Sequence, residues 1–115
     1  MKYSKSLVAA SSKPLILGIL QHGATYGYDI IQQIKELSGG QLEWADGMLY
    51  PVLHRLEKEG LVTSHWNQSE NGRHRKYYAI TEEGKQAIHT EREHWLSMHD
   101  VLLKLWSKNS NTSNG

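Results

Sequence analysis

The sequence predicts a mainly α-helical domain with one small β-hairpin, an α+β fold that ends in a long carboxy-terminal helix. Three observations carry this. Apolar residues recur at spacings of three and four in the first half of the chain, in segments punctuated by glycine. The segments LVTSHWNQ and HRKYYAI are rich in aromatic and β-branched residues, and Asn71-Gly72 between them is the strongest short hairpin signal in the chain. Beyond Thr81, an apolar stripe with a period near seven continues to Trp106.

Residues 1–11, with Lys2 and Lys5, are expected to form a loose arm or a first helical turn. SSKP then starts a helix, with Ser12 as the cap and Pro14 in the first turn. Leu15, Ile16, Leu17, Ile19 and Leu20 make it apolar on most sides, so it is buried, and His22 and Gly23 end it. Thr25 caps the second helix, whose Ile30, Ile31, Ile34 and Leu37 face inward, and Gly39 and Gly40 stop it. QLEW alternates and is expected to be one short strand. Asp46 caps the third helix, which turns Leu49, Val52, Leu53 and Leu56 inward and stops at Gly60. Pro51 lies deeper than a first turn, where a missing amide donor carries a cost, so this helix is expected to bend or start late. Thr81 caps the last helix, with Glu82 and Glu83 at its positive end. The polar SKNSNTSNG that follows is expected to be disordered. The units are therefore residues 1–80, a helix over 81–107, and a tail over 108–115.

Three short helices with a hairpin after the third make a winged helix-turn-helix. In that fold the third helix enters the major groove of DNA, its amino-terminal residues nearest the base edges. Gly47, Met48 and Tyr50 would lead it, with His54 and Arg55 one turn later. The alternative for Tyr50 and Pro51 is simple packing against the preceding turn. Arg73, His74, Arg75 and Lys76 form the densest basic cluster and follow the tight turn directly, which suits phosphate contact. The alternative is a hairpin that is basic for solubility. Strand alternation sends members of this cluster to opposite faces, so Arg73 and Arg75 need not act alike. Lys2, Lys5 and Lys13 can add phosphate contacts. Tyr26 and Tyr28 begin the second helix, where a DNA backbone passes, unless they pack on the third helix.

Composition narrows the class. The 115 residues argue for one domain, with about two-thirds of the unfolded surface buried, so a partner subunit would help hide apolar side chains. The net charge of +1 does not announce a nucleic-acid binder; only local clustering can. The absence of cysteine excludes disulfides and thiolate metal sites. The start has no apolar run long enough for a signal peptide, and LILGIL is too short to span a membrane, so a soluble cytoplasmic protein is expected. An enzyme is not expected, since no phosphate-cradling glycine loop, nucleophile elbow or cysteine nucleophile is present, and no cofactor is expected.

GYDIIQQI, GMLYPVLHRLEKEGLV and RKYYAITEEG, in that order, resemble the PadR-type transcriptional regulators. The Leu-Tyr-Pro, Arg-Leu-Glu, Gly-Leu and Lys-Tyr-Tyr pieces carry the match over roughly residues 14–106. Met48 stands where the family pattern often has threonine, which removes the hydroxyl that pattern supplies. The resemblance implies a dimeric winged-helix repressor whose last helix crosses the partner subunit. The single last helix resembles the short subgroup, some of whose members bind flat aromatic drugs between subunits against a tryptophan. Trp95 stands at the matching place.

Read from its own residues, the last helix has Ile88, Trp95 and Leu102 on one heptad position and Met98 and Leu105 on another. Val101, Leu96, Leu103 and Trp106 widen the stripe, and homodimerisation is expected from it. The alternative is packing on the chain's own first helix. Trp95, near a two-fold axis, can clasp a flat ligand with its symmetry mate, or be core; Met98, Glu91 and Asp100 are candidate walls. The expected partners are thus an inverted-repeat duplex, a second copy and a flat aromatic molecule. Two rival readings are a metal-responsive sensor using His89, His94 and His99 with Glu91 and Glu93, and a winged-helix module that binds protein. Five-residue steps rotate each of those histidines away from the last, which makes three on one ion geometrically poor; His89 and Glu93 can share a surface ion.

Overall fold

The computed structural model describes residues 2–68 and 72–112. The element order is α1 (Lys5–Gln21), β1 (Thr25–Tyr26), α2 (Gly27–Leu37), α3 (Asp46–Lys58), β2 (Val62–Gln68), β3 (His74–Ile80) and α4 (Glu82–Thr112). The strands form one antiparallel sheet in the order β1-β3-β2. Helices α1, α2 and α3 close around a core of Ile16, Leu17, Leu20, Ile30, Ile34, Leu49, Leu53 and Leu56, completed by Val62 and Tyr78 from the sheet. These are the inward positions of the three- and four-residue periodicity. Trp44, between α2 and α3, joins this core, and its indole N–H has no hydrogen-bond partner among the described residues.

Five features differ from the sequence reading. Helix α1 starts at Lys5, not near Ser12: the Ser4 hydroxyl caps it by accepting from the Leu7 amide at 3.2 Å. Ser12 is buried inside the helix and donates to the Val8 carbonyl at 2.9 Å, the back-bonding that lets a cap-type residue sit in a helix interior. The QLEW segment forms no strand. The free edge of β3 is taken instead by Thr25 and Tyr26, which pair with Tyr78 and Tyr77. Thr25 is thus a strand residue, and it steadies α2 indirectly, donating at 2.7 Å to Asp29, which also accepts from Gln33 at 2.7 Å. Ala45, not Asp46, holds the cap position of α3, and Asp46 is its first acidic residue. Finally α4 continues to Thr112, past the expected end near Ser107, because SKNSNT contains no glycine or proline to stop a helix already propagating. Residues 113–115 of the expected tail, and Asn71 of the Asn71-Gly72 turn, lie outside the described residues.

Pro51 neither delays nor divides α3, which is one uninterrupted helix with the proline on its exposed side. The carboxy-terminal stop is as expected. Gly60 has φ of 81°, and the Leu61 amide donates to the Leu56 carbonyl at 2.9 Å, closing a Schellman turn that leads directly into β2.

The start of α4 locks onto that same turn. Thr81 donates to the Gly60 carbonyl at 2.7 Å and accepts from the Gly84 amide at 3.0 Å, while its own amide donates to the Leu61 carbonyl at 3.0 Å. Gly84 is buried here, and a Cβ on it would collide with the Leu61 carbonyl and the Ile80 side chain. Because that carbonyl is already committed, it cannot move cheaply. Gly84→Ala is expected to destabilise the fold by about 3 kcal/mol, lowering the thermal midpoint by on the order of 10 °C. Gly18→Ala, with open space around it, is the control and should change little.

Candidate nucleic-acid interface

The outward face of α3 carries Gly47, Met48, Pro51, His54, Arg55 and Lys58, all exposed, opposite buried Leu49, Leu53 and Leu56. Tyr50 sits at the boundary and is half-buried. Its hydroxyl lies against the start of α2, so close to Gly27 that any Cβ there would overlap it. Tyr50 therefore sets the spacing between α2 and α3 and does not project freely, whereas Tyr28, one residue beyond Gly27, is 65% exposed.

The hairpin β2–β3 stands beside this face. Its register pairs Ser64 with Tyr78, Trp66 with Lys76 and Gln68 with His74, so these side chains share one face. That face looks toward α3, as the Ser64 hydroxyl donating to Glu57 demonstrates. His65, Arg75 and Tyr77 lie on the other face. There Tyr77 stacks on His65 at 6.1 Å and meets Tyr26 edge-on at 5.4 Å, and the Arg75 guanidinium lies 4.3 Å over the Tyr26 ring. Alternation thus divides Arg75 from Lys76 and His74. Arg73 precedes β3, so strand alternation does not assign it a face.

Between hairpin and α3 opens a cleft of 640 Å³ lined by Tyr26, Gly27, Tyr28, Tyr50, His54, Trp66, Tyr78 and the run Arg73 to Lys76. It gathers most of the residues expected to touch DNA. Gly47 and Arg55 lie outside it on the open side of α3, and Met48 faces a different cleft beside Trp44 and Tyr3. Lys2 and Lys5 line clefts next to Met48, near the tip of α3; Lys13 is half-buried in α1. Trp66 was not singled out from sequence, although its alternation with Val62 and Ser64 puts it on the inner face.

At the floor of the cleft, burial pushes the Tyr78 phenol above its ordinary value, and Tyr50 and Glu57 add to the shift. The folded chain therefore holds this proton more tightly than the unfolded chain. The stability linked to it is fully present below about pH 10, the unfolded tyrosine value, and is lost as pH rises through the folded value. Tyr78→Phe is expected to flatten the fall of stability above that pH, measured by denaturant titration across an alkaline series.

The long helix is a second surface. Ile88, expected at a subunit interface, is 7% exposed and belongs to the chain's own core, because the first turns of α4 pack on α1. Further along, Leu96, Met98, Val101, Leu103, Leu105 and Trp106 are exposed, while Leu102 is half-buried. Trp95, 37% exposed, lines a groove of 410 Å³ between α1 and α4 with Pro14, Leu15, Gly18, Arg92 and Leu96. Met98, Glu91 and Asp100 do not line it; Asp100 pairs with Lys104 at 3.1 Å. The charge at this groove is the cation of Arg92, where the sequence reading looked for a carboxylate. His89 meets Glu93 at 3.0 Å, and among the described residues no three histidine, cysteine or carboxylate groups gather at one point. Nor is any helix of the described residues long and apolar enough to cross a membrane.

An exposed third helix held by two others beside a cationic antiparallel hairpin defines the winged helix-turn-helix class of DNA-binding proteins. Residues 16–90 match the model of the transcriptional regulator PadR-like family, and the chain belongs to that family: it is a DNA-binding transcriptional regulator. It is 34% identical over 90 residues to the negative transcriptional regulator PadR of Bacillus subtilis, covering 78% of this chain and 47% of that protein, so it spans about half the length of this relative. Among solved structures, a transcriptional regulator from Clostridium thermocellum superposes with a TM-score of 0.79 at 29% identity, covering 87% of this chain and 97% of that one. A PadR family transcription regulator from Clostridium difficile gives 0.72 at 32% identity over 83% and 97% of the two chains.

Proposed function

We propose that two copies of this chain pair through α4 and bind an inverted-repeat operator, repressing their own operon or a transporter or detoxification gene. The observation that supports this best is the pairing, in one chain, of a reading helix beside a cationic hairpin with a rod whose apolar stripe is uncovered. In this reading Gly47, Met48, His54 and Arg55 meet base edges, and Tyr28, Arg73, His74, Arg75 and Lys76 meet the backbone. Tyr50 acts by fixing the angle at which α3 enters the groove. Leu96, Leu102, Leu105 and Trp106 form the seam between subunits, and residues 1–80 act as the DNA-binding head.

A flat aromatic ligand at Trp95 releases the DNA. It does so only by binding one spacing of the two heads better than another. With Arg92 beside Trp95, neutral or anionic rings are favoured over cationic ones. A mobility-shift titration on the DNA beside its own gene should give a retarded complex at low salt, where electrostatic attraction is strongest; no complex there contradicts the reading. Planar aromatic dyes should quench tryptophan fluorescence, and an unchanged dye affinity in Trp95→Ala would remove the stacking role.

A further inference from the structure

We propose that Trp66 is a DNA-contacting residue whose indole packs against deoxyribose where a backbone strand passes between hairpin and α3. The inference rests on the DNA-binding reading and assigns a role to a side chain that reading does not use.

The inner face of the hairpin runs outward from the core. Val62 and Tyr78, at its base, are buried in the core. One step outward Ser64 is half-buried and satisfied by Glu57. Trp66 and its cross-strand partner Lys76 come next. Trp66 is the first exposed inner-face residue of β2, with 66% of its surface open. A single exposed apolar residue ordinarily needs no account. This one stands in a concave site among tyrosine, histidine and cationic side chains.

Among the described residues its ring is also unclaimed. The Lys76 ammonium lies 5.8 Å over Tyr78, and the Arg75 guanidinium lies over Tyr26. Among the described residues neither cation covers the indole. The cleft thus offers two kinds of contact side by side: charges that suit phosphate oxygens, and a flat apolar plate that suits the sugar between them. A plate against deoxyribose is indifferent to base sequence and to salt, since it neutralises no phosphate. Phosphate contacts by the cationic neighbours share the first property but not the second, and the salt dependence separates the two roles experimentally.

The test uses the full chain and a mixed-sequence duplex of about 30 base pairs, titrated over a salt series. Trp66→Ala is expected to weaken binding about tenfold at every salt concentration and leave the salt slope unchanged. Lys76→Ala is expected to lower that slope by about one. Trp66→Phe, which keeps a flat ring, should bind within about threefold of the parent yet lose the quenching of tryptophan emission that DNA causes. Quenching that persists in Trp66→Phe overturns the proposal, as does an unchanged affinity in Trp66→Ala or a loss that follows the Lys76→Ala salt dependence. A parent chain that fails to bind the duplex at low salt would overturn the DNA reading itself.

Discussion

Replacing Arg73, Arg75 and Lys76 together by alanine is expected to abolish most DNA affinity. The salt dependence of binding should fall by about three counterions, and affinity near physiological salt by roughly a hundredfold or more. The three side chains are the densest charge beside the cleft, and the whole chain carries a net charge of only +1, so no diffuse field replaces them. Their loss leaves the buried core untouched, since none contributes to it. Part of the Arg75 effect is structural, because its guanidinium rests on Tyr26 at the start of α2. Thermal midpoint and affinity should therefore be read together: an unchanged midpoint with lost binding marks a contact role. Salt-independent binding by the parent protein would contradict the assignment.

Charging the exposed stripe of α4 should have a comparable effect by a different route. Met98→Glu with Leu105→Glu places two carboxylates on one heptad position of a seam expected to be apolar. An unpaired charge buried at an interface is expensive, and the dissociation constant of the dimer should rise by on the order of a thousandfold. Sedimentation should then report the 13.1 kDa chain mass, whereas the parent should sediment at twice that value. Operator binding falls with it, because two heads no longer bind as one unit. Both residues are exposed and remote from the Ile16–Leu56 core, so helical circular dichroism of the head should persist. A parent chain that is monomeric at micromolar concentration would contradict the seam.

The parts of this fold that were legible in the sequence are those with strong local signals. Ile30, Ile34, Leu49, Leu53 and Leu56 repeat at helical spacing and are buried. Gly39, Gly40 and Gly60 end helices with positive φ, a backbone conformation that side chains resist. The elements missed have no local signature. A two-residue strand has too little length to show alternation, and Thr25–Tyr26 exists because β3 has an edge to offer. Ser4 and Ser12 are equally plausible caps by type; only the chain upstream, which continues the helix, separates them. At the candidate site the cationic run and the exposed α3 positions could be read directly. The half-buried position of Tyr50 could not, since it depends on Gly27 allowing the phenol to approach α2. Ile88 is covered by its own α1, which the sequence could not show for a related reason: heptad spacing says that a residue is covered, not whether its own chain or a partner covers it.

Footprinting on the DNA beside its own gene, with the mass of the bound complex measured on the same sample, tests the central claim most directly. Two chains should protect two symmetry-related stretches whose centres lie about one helical turn, roughly 34 Å, apart. One protected stretch held by one chain at saturation would contradict it.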